Sequence, residues 1–172
     1  TTTALTSKVW LIYEDDAGEW QAKAVADIGD ASKIPLPVDI SISADDNHLW
    51  INTWNDGLVR LYDISDPFAP TQVMEKQIGE QVNMVSQSWD GERVYFTSSL
   101  LASWDKTTAS EGNDLQYFKL YNWDGESLTP EFNLDFIELG LGAPHQMRFG
   151  AHALYGGTSA QSPSGLGTPP AH

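Results

Sequence analysis

Two stretches of this chain repeat one another at an interval of 45 residues: aligning Ser88 with Ser43 puts Gly91 on Asp46, Val94 on Leu49 and Tyr95 on Trp50. The first copy reads Asp39-Ile40-Ser41-Ile42-Ser43, an acidic reversal at 44–47, then Leu49-Trp50-Ile51-Asn52. In the second, Met84 and Val85 lead through Ser88-Trp89-Asp90-Gly91 into Val94-Tyr95-Phe96-Thr97. Both are β-branched and aromatic runs flanking a turn, which suits a packed, pleated surface. An interval of roughly 40–50 residues is that of a four-stranded propeller blade. Leu61-Tyr62-Asp63 recurs as Leu120-Tyr121-Asn122 at the longer interval of 59 residues, and the 14 additional residues fall within 100–113. One repeat therefore carries an insertion, which holds Trp104-Asp105-Lys106.

The rest of the chain follows that frame. Residues 8–13 and 20–26 read as the outer strand pair of a preceding blade, assigned to 1–30 and lacking its inner strands. Asp27–Pro37 reads as a linker that Pro35 and Pro37 keep extended. A full blade is expected over 38–80, with strands centred on Ile40, Trp50, 59–62 and 71–76. A second full blade, over 81–138, has expected strands at 84–86, 94–97, 115–121 and 132–136. Residues 144–155 would hold the first strand of the closing blade. Residues 156–172, rich in Gly, Ser, Thr, Pro and Ala, read as a flexible tail. The fold class is thus all-β: part of a β-propeller, with about two full four-stranded blades plus partial ones; propellers close with roughly four to eight blades, and a complete one of seven is the expectation here. A two-blade arc exposes apolar faces and strand edges. The expected partner is the remainder of the propeller, supplied by a second polypeptide or by a missing N-terminal region, and a homo-oligomer is compatible with this.

Charge and cysteine usage narrow the chemistry. The formal net charge is −15 over 172 residues, so a phosphate backbone is repelled and nucleic acid is not an expected partner. Anionic membranes are disfavoured for the same reason, and no window is long and apolar enough to span a bilayer. The opening Thr1-Thr2-Thr3 is no signal peptide, having no basic start and no apolar run. With no cysteine, the chain offers neither thiolate catalysis nor Cys-based metal sites.

The segments VDISISADDNHLWINTWNDGLVRLYDISDPFAP, SWDGERVYFTSSLLASWDK and the Pro144-His145-x-x-Arg148-Phe149 motif resemble, in order and spacing, the selenium-binding protein family, which includes bacterial methanethiol oxidases. The resemblance spans about 38–149 and lies in the C-terminal third of the family's chain. It implies a propeller fold and copper-dependent oxidation of methanethiol by oxygen and water to formaldehyde, hydrogen sulfide and hydrogen peroxide. Copper would be the cofactor, with a small thiol and O2 as substrates. It also implies periplasmic residence, with the cytoplasm as the alternative. The chain departs from the family after Phe149, continuing Gly150-Ala151-His152 where relatives carry a Pro-Gly-Gly-Asp segment.

On this resemblance His145 is a metal ligand, and Arg148, Asp105 and Lys106 are candidates for catalysis; His152 lies beyond the matching motif and is open as a second donor near His145. Trp104 would wall the thiol pocket. Imidazole suits copper, which takes several donors. Asp105 and Lys106 could form an acid/base pair or orient a ligand. Each assignment has a plainer counterpart: a hydrogen-bonded structural histidine, a tryptophan packed under its loop, a surface ion pair. His48 reads as a turn residue and His172 as inert. Two other function classes stay open. One is a non-catalytic propeller module binding a selenium species or a protein, and the other a hydrolytic propeller with a carboxylate-held divalent metal.

Overall fold

The computed structural model describes residues 1–108, 110, 112 and 114–147. Among the described residues, eleven strands form three antiparallel sheets. The first sheet has three strands in chain order, β1 (Thr2–Thr3), β2 (Lys8–Glu14) and β3 (Trp20–Asp27). The second is the meander β4 (Pro37–Ile42), β5 (His48–Thr53), β6 (Leu58–Asp63) and β7 (Thr71–Gln77). The third is the meander β8 (Val85–Gln87), β9 (Arg93–Thr97), β10 (Tyr117–Trp123) and β11 (Leu128–Asp135). No helix among the described residues is long and apolar enough to cross a membrane.

Period-2 alternation makes the middle sheet the filling between its neighbours. Leu49 and Ile51 of β5 pack with Val9, Ile28 and Tyr62, towards the first sheet. Trp50 points the other way, into a cluster with Val59, Leu61, Val85, Val94, Phe96, Tyr117 and Tyr121, towards the third. β5 is buried on both faces: Leu49, Trp50 and Ile51 form its apolar centre, and the polar Asn52 and Thr53 that follow are buried as well. The outer strands β3, β7 and β11 alternate little and are mostly exposed.

The repeat seen in the sequence is a repeat of turn geometry. Ser43 and Ser88 each accept a backbone N–H, from His48 at 2.9 Å and from Arg93 at 3.0 Å, and each hydroxyl donates to the Asp two residues on. Those carboxylates in turn accept the N–H groups of Asn47 at 3.1 Å and Glu92 at 3.0 Å. The aligned Asp46 and Gly91 both take positive φ, 59° and 78°.

Four local expectations are corrected. The first sheet is not a bare pair: the Trp10 N–H and the Thr1 carbonyl bond at 2.8 Å, and Thr2–Thr3 add a short strand to β2. The linker at 27–37 is not wholly extended, because the Asp30 carboxylate accepts the Ser32 N–H at 3.0 Å and caps a 3₁₀ turn, Ala31–Lys33. The strand expected at 115–121 begins at Tyr117 and runs to Trp123. Leu115 and Gln116 are spent on the insertion, where the Leu115 carbonyl accepts from Gln81 at 2.9 Å. Residues 144–147 lie beside β8 and β9 without strand pairing. They are held instead through single carbonyls by Ser99 N–H at 3.0 Å, Thr97 Oγ1 at 2.6 Å and Ser86 Oγ at 3.2 Å. The rest of the expected closing strand, 148–155, and the expected tail, 156–172, lie outside the described residues.

Candidate functional site

The inserted loop, the β7–β8 link, the end of β5 and the segment Pro144–Met147 meet at one end of the second and third sheets. The insertion is anchored from beneath by two buried amides. The Lys106 N–H donates to Gln81 Oε1 at 3.0 Å, and its carbonyl accepts from Gln81 Nε2 at 3.3 Å and Gln116 Nε2 at 3.0 Å. Ser98 ties the same place to β10 by donating to Gln116 Oε1 at 3.2 Å and accepting the Tyr117 N–H at 2.9 Å. The buried Tyr117 hydroxyl donates to the Gln81 carbonyl, and the Lys119 ammonium to the Ile78 carbonyl and Asp114.

Within this frame the Trp-Asp-Lys residues take separate places. Asp105 is buried, and its carboxylate accepts the Ser99 hydroxyl at 2.6 Å and the N–H groups of Leu100 and Leu101 at 2.8 and 3.2 Å. The Lys106 ammonium faces Glu80 at 3.7 Å, so the two side chains engage different partners. Trp104 is 55% exposed and leans on Trp54, ring centroids 6.5 Å apart.

His145 is exposed, with Nδ1 turned inward, 2.9 Å from the Ser99 carbonyl and 3.2 Å from Asn83 Nδ2. Asn83 is fully buried and joins three elements: its N–H donates to Thr97 at 2.7 Å, its carbonyl accepts from Asn52 Nδ2 at 2.8 Å, and its own Nδ2 donates to the Ser99 carbonyl. The buried oxygens Asn52 Oδ1 and Asn83 Oδ1, and the indole N–H of Trp54, have no partner among the described residues. Asp39, on β4, accepts the Val85 N–H at 2.8 Å. Burial pushes its carboxyl up, against the pull of the Val85 and Ile40 N–H groups and of His145.

The structure brings together His145, Ser99 and Asp105, and places Trp104 and Lys106 at the loop's rim. Arg148 and His152 lie outside the described residues. Sequence reasoning passed over Asn83 and Ser99, whose one available signal was position: Asn83 opens the strand-turn-strand repeat and Ser99 follows its second strand. Among the described residues no three His, Asp or Glu side chains are grouped to hold a metal. His145 fits copper as one corner of a site, since it is exposed, no hydrogen bond engages its Nε2 among the described residues, and imidazole is a suitable donor.

A family model described as "56kDa selenium binding protein" matches residues 1–159. The chain is 68% identical over 154 residues to a methanethiol oxidase of Ruegeria pomeroyi, covering 90% of this chain and 35% of that one. A hypothetical selenium-binding protein from Sulfolobus tokodaii superposes with a TM-score of 0.62 at 29% identity, over 77% of this chain and 36% of that one. A β-propeller domain from Myceliophteria thermophila gives 0.52 at 12% identity, over 76% of this chain and 39% of that one, a likeness of fold alone. The chain spans about a third of the length of the curated relatives it matches.

Proposed function

As the chain belongs to the 56-kDa selenium-binding protein family, we propose that it is the C-terminal part of a copper-dependent methanethiol oxidase. The complete protein would convert methanethiol, O2 and water to formaldehyde, hydrogen sulfide and hydrogen peroxide, a balance that uses no other reductant or oxidant. The observation that supports this most is the 68% identity to the Ruegeria methanethiol oxidase, joined to an exposed imidazole held through Nδ1 at the end of the sheets.

His145 would hold the metal through Nε2, with further donors from outside the described residues; His152 is the nearest in sequence. Copper, when bound, supplies one-electron exchange with thiol sulfur and oxygen. This chain's own residues position and shield. Ser99, Asn83 and Thr97 fix the His145 backbone and ring, and Trp104, exposed and leaning on the buried Trp54, is the apolar surface the loop would offer a methyl thiol. Lys106, paired with Glu80 at the rim, would meet charge that develops on substrate; Arg148, outside the described residues, is the other candidate. Asp105 serves this reading by holding the loop. The reading includes periplasmic residence, which cell fractionation checks against the cytoplasm.

The test is elemental analysis of the complete protein together with His145→Ala. Near-stoichiometric copper, lost in the variant along with O2-dependent formaldehyde release, is the expected result. Folded, copper-free protein that retains selenium or thiol binding after His145→Ala would replace the oxidase with a non-catalytic binding module.

A further inference from the structure

We propose that the inserted loop sets the tautomer of His145, acting through Ser99, and that Asp105 is the positioning residue for this. Every polar group of Ser99 is used, although the residue is only 7% exposed. Its N–H donates to the Pro144 carbonyl at 3.0 Å, its hydroxyl to Asp105 Oδ2 at 2.6 Å, and its carbonyl accepts from Asn83 Nδ2. The same carbonyl lies 2.9 Å from His145 Nδ1. Two acceptors do not approach that closely, so a hydrogen lies between them, and Nδ1 is its only possible carrier. The 3.2 Å approach of Asn83 Nδ2 to Nδ1 is then between two donors, both aimed at the Ser99 oxygen. A proton on Nδ1 leaves the lone pair on Nε2, the nitrogen that faces outward. Free neutral imidazole in histidine prefers the opposite arrangement, with the proton on Nε2. The Ser99 carbonyl therefore imposes the less favoured tautomer.

That carbonyl stays in place because Asp105 grips both sides of it, through the Ser99 hydroxyl and the Leu100 and Leu101 N–H groups. The carboxylate already has three donors, and its work is to hold the peptide that His145 reads. A backbone carbonyl on the far nitrogen is also how metal-bound histidines are oriented. The consequence for a metal rests on the ligand reading of His145; the tautomer itself does not.

The experiment uses the complete protein, metal-free and labelled with ¹⁵N-histidine, at a pH where His145 is neutral. Its two-bond ¹H–¹⁵N pattern, assigned by loss in His145→Gln, reports which nitrogen carries the proton. The wild type is expected to show the Nδ1–H form, and Asp105→Asn, which keeps the shape and the acceptor oxygen, to retain it. In Asp105→Ala the Nδ1–H population is expected to fall several-fold. Ser99→Ala removes one hydroxyl and is expected to move the population the same way, so the test survives a failure of Asp105→Ala to fold. An Nε2–H wild type, or an unchanged tautomer in whichever of Asp105→Ala and Ser99→Ala folds, overturns the proposal. Copper measured on the same samples separates the two ideas. Copper that ignores His145→Gln sinks the ligand reading alone. Copper that needs His145, beside a tautomer indifferent to Asp105 and Ser99, sinks this inference alone.

Discussion

The aligned turns make two residues interpretable at the level of single atoms. Asp46 and Gly91 occupy the same left-handed position, where a Cβ crowds the following carbonyl at a cost of about 1–2 kcal/mol, less for Asp than for most residues. Asp46→Gly is therefore expected to stabilise the protein by roughly 0.5–1 kcal/mol and Gly91→Asp to destabilise it by a similar amount. Urea midpoints for the pair check this, and equal signs would contradict it. The neighbouring Asp45 carries a pH signature. The Ser43 hydroxyl, and after it the Asn47 N–H, hold its carboxyl down to about 2. A folded value below the unfolded one, about 3.9, means the stabilisation is complete above pH ~4 and disappears as pH falls through about 2. The group is almost fully solvated, so its effect is small. Asp45→Asn should run parallel to wild type above pH ~5 and converge on it between pH ~4 and ~2. Parallel urea midpoints down to pH 2 would remove Asp45 from the acid response.

At the scale of elements, the insertion is seated on a tight joint between the β7–β8 link and β10. A Cβ on Gly79 would lie 2.4 Å from Tyr117 Cε1 and 2.8 Å from its hydroxyl oxygen. Tyr117 is 1% exposed and its hydroxyl is committed to the Gln81 carbonyl, so the ring has little room to yield. Gly79→Ala is expected to cost about 1–3 kcal/mol of stability. Because Gln81 also holds Lys106, it should raise amide exchange across 99–106 more than in β4–β6. Uniform exchange would show that joint and loop are uncoupled. Much of this architecture was legible beforehand. The two meanders could be read because β5 and β9 place large residues at alternating positions beside turns made of the same Ser-x-Asp chemistry. The insertion showed as a break in the interval. Its anchoring was not legible: Gln81, Gln116, Ser98 and Ser99 are small or neutral polar residues whose partners lie 10 to 46 positions away. The start of β10 was misplaced for that reason, since Leu115 and Gln116 look like strand residues but serve the loop. Asp105 looked reactive in sequence because nothing there reveals a carboxylate already supplied with three donors.

At the scale of the whole molecule, the stack of sheets ends on apolar faces. On the third sheet Tyr95 stacks on Phe118 with centroids 5.2 Å apart, and Phe132 lies 5.7 Å from Phe118. Phe132 and Leu134 remain 38% and 42% exposed there, on strands whose opposite face is the buried cluster with Phe96 and Tyr121. The first sheet shows Ile12 at 51% and Trp20 at 72%. Further blades would cover such faces in a propeller, and the curated relatives are about three times as long as the matched region. Without that cover two forces oppose each other: apolar faces and strand edges draw copies together, and a net charge of −15 drives them apart. The charge is screened by salt and the apolar attraction is not. The isolated 172-residue chain is therefore expected to be smallest at low ionic strength and to self-associate as salt rises, with increased dye binding at its apolar faces. Light scattering across a salt series reads this directly. On the proposed reading, adding a polypeptide that corresponds to the other two-thirds of the relatives' length should abolish both the association and the dye signal, and should be needed for tight copper binding, since the described residues place one imidazole at the site and no group of three ligands. A chain that stays monomeric in high salt, without dye binding, and holds copper tightly by itself would mean that its ends are covered by its own residues. The site would then have to be complete within this chain.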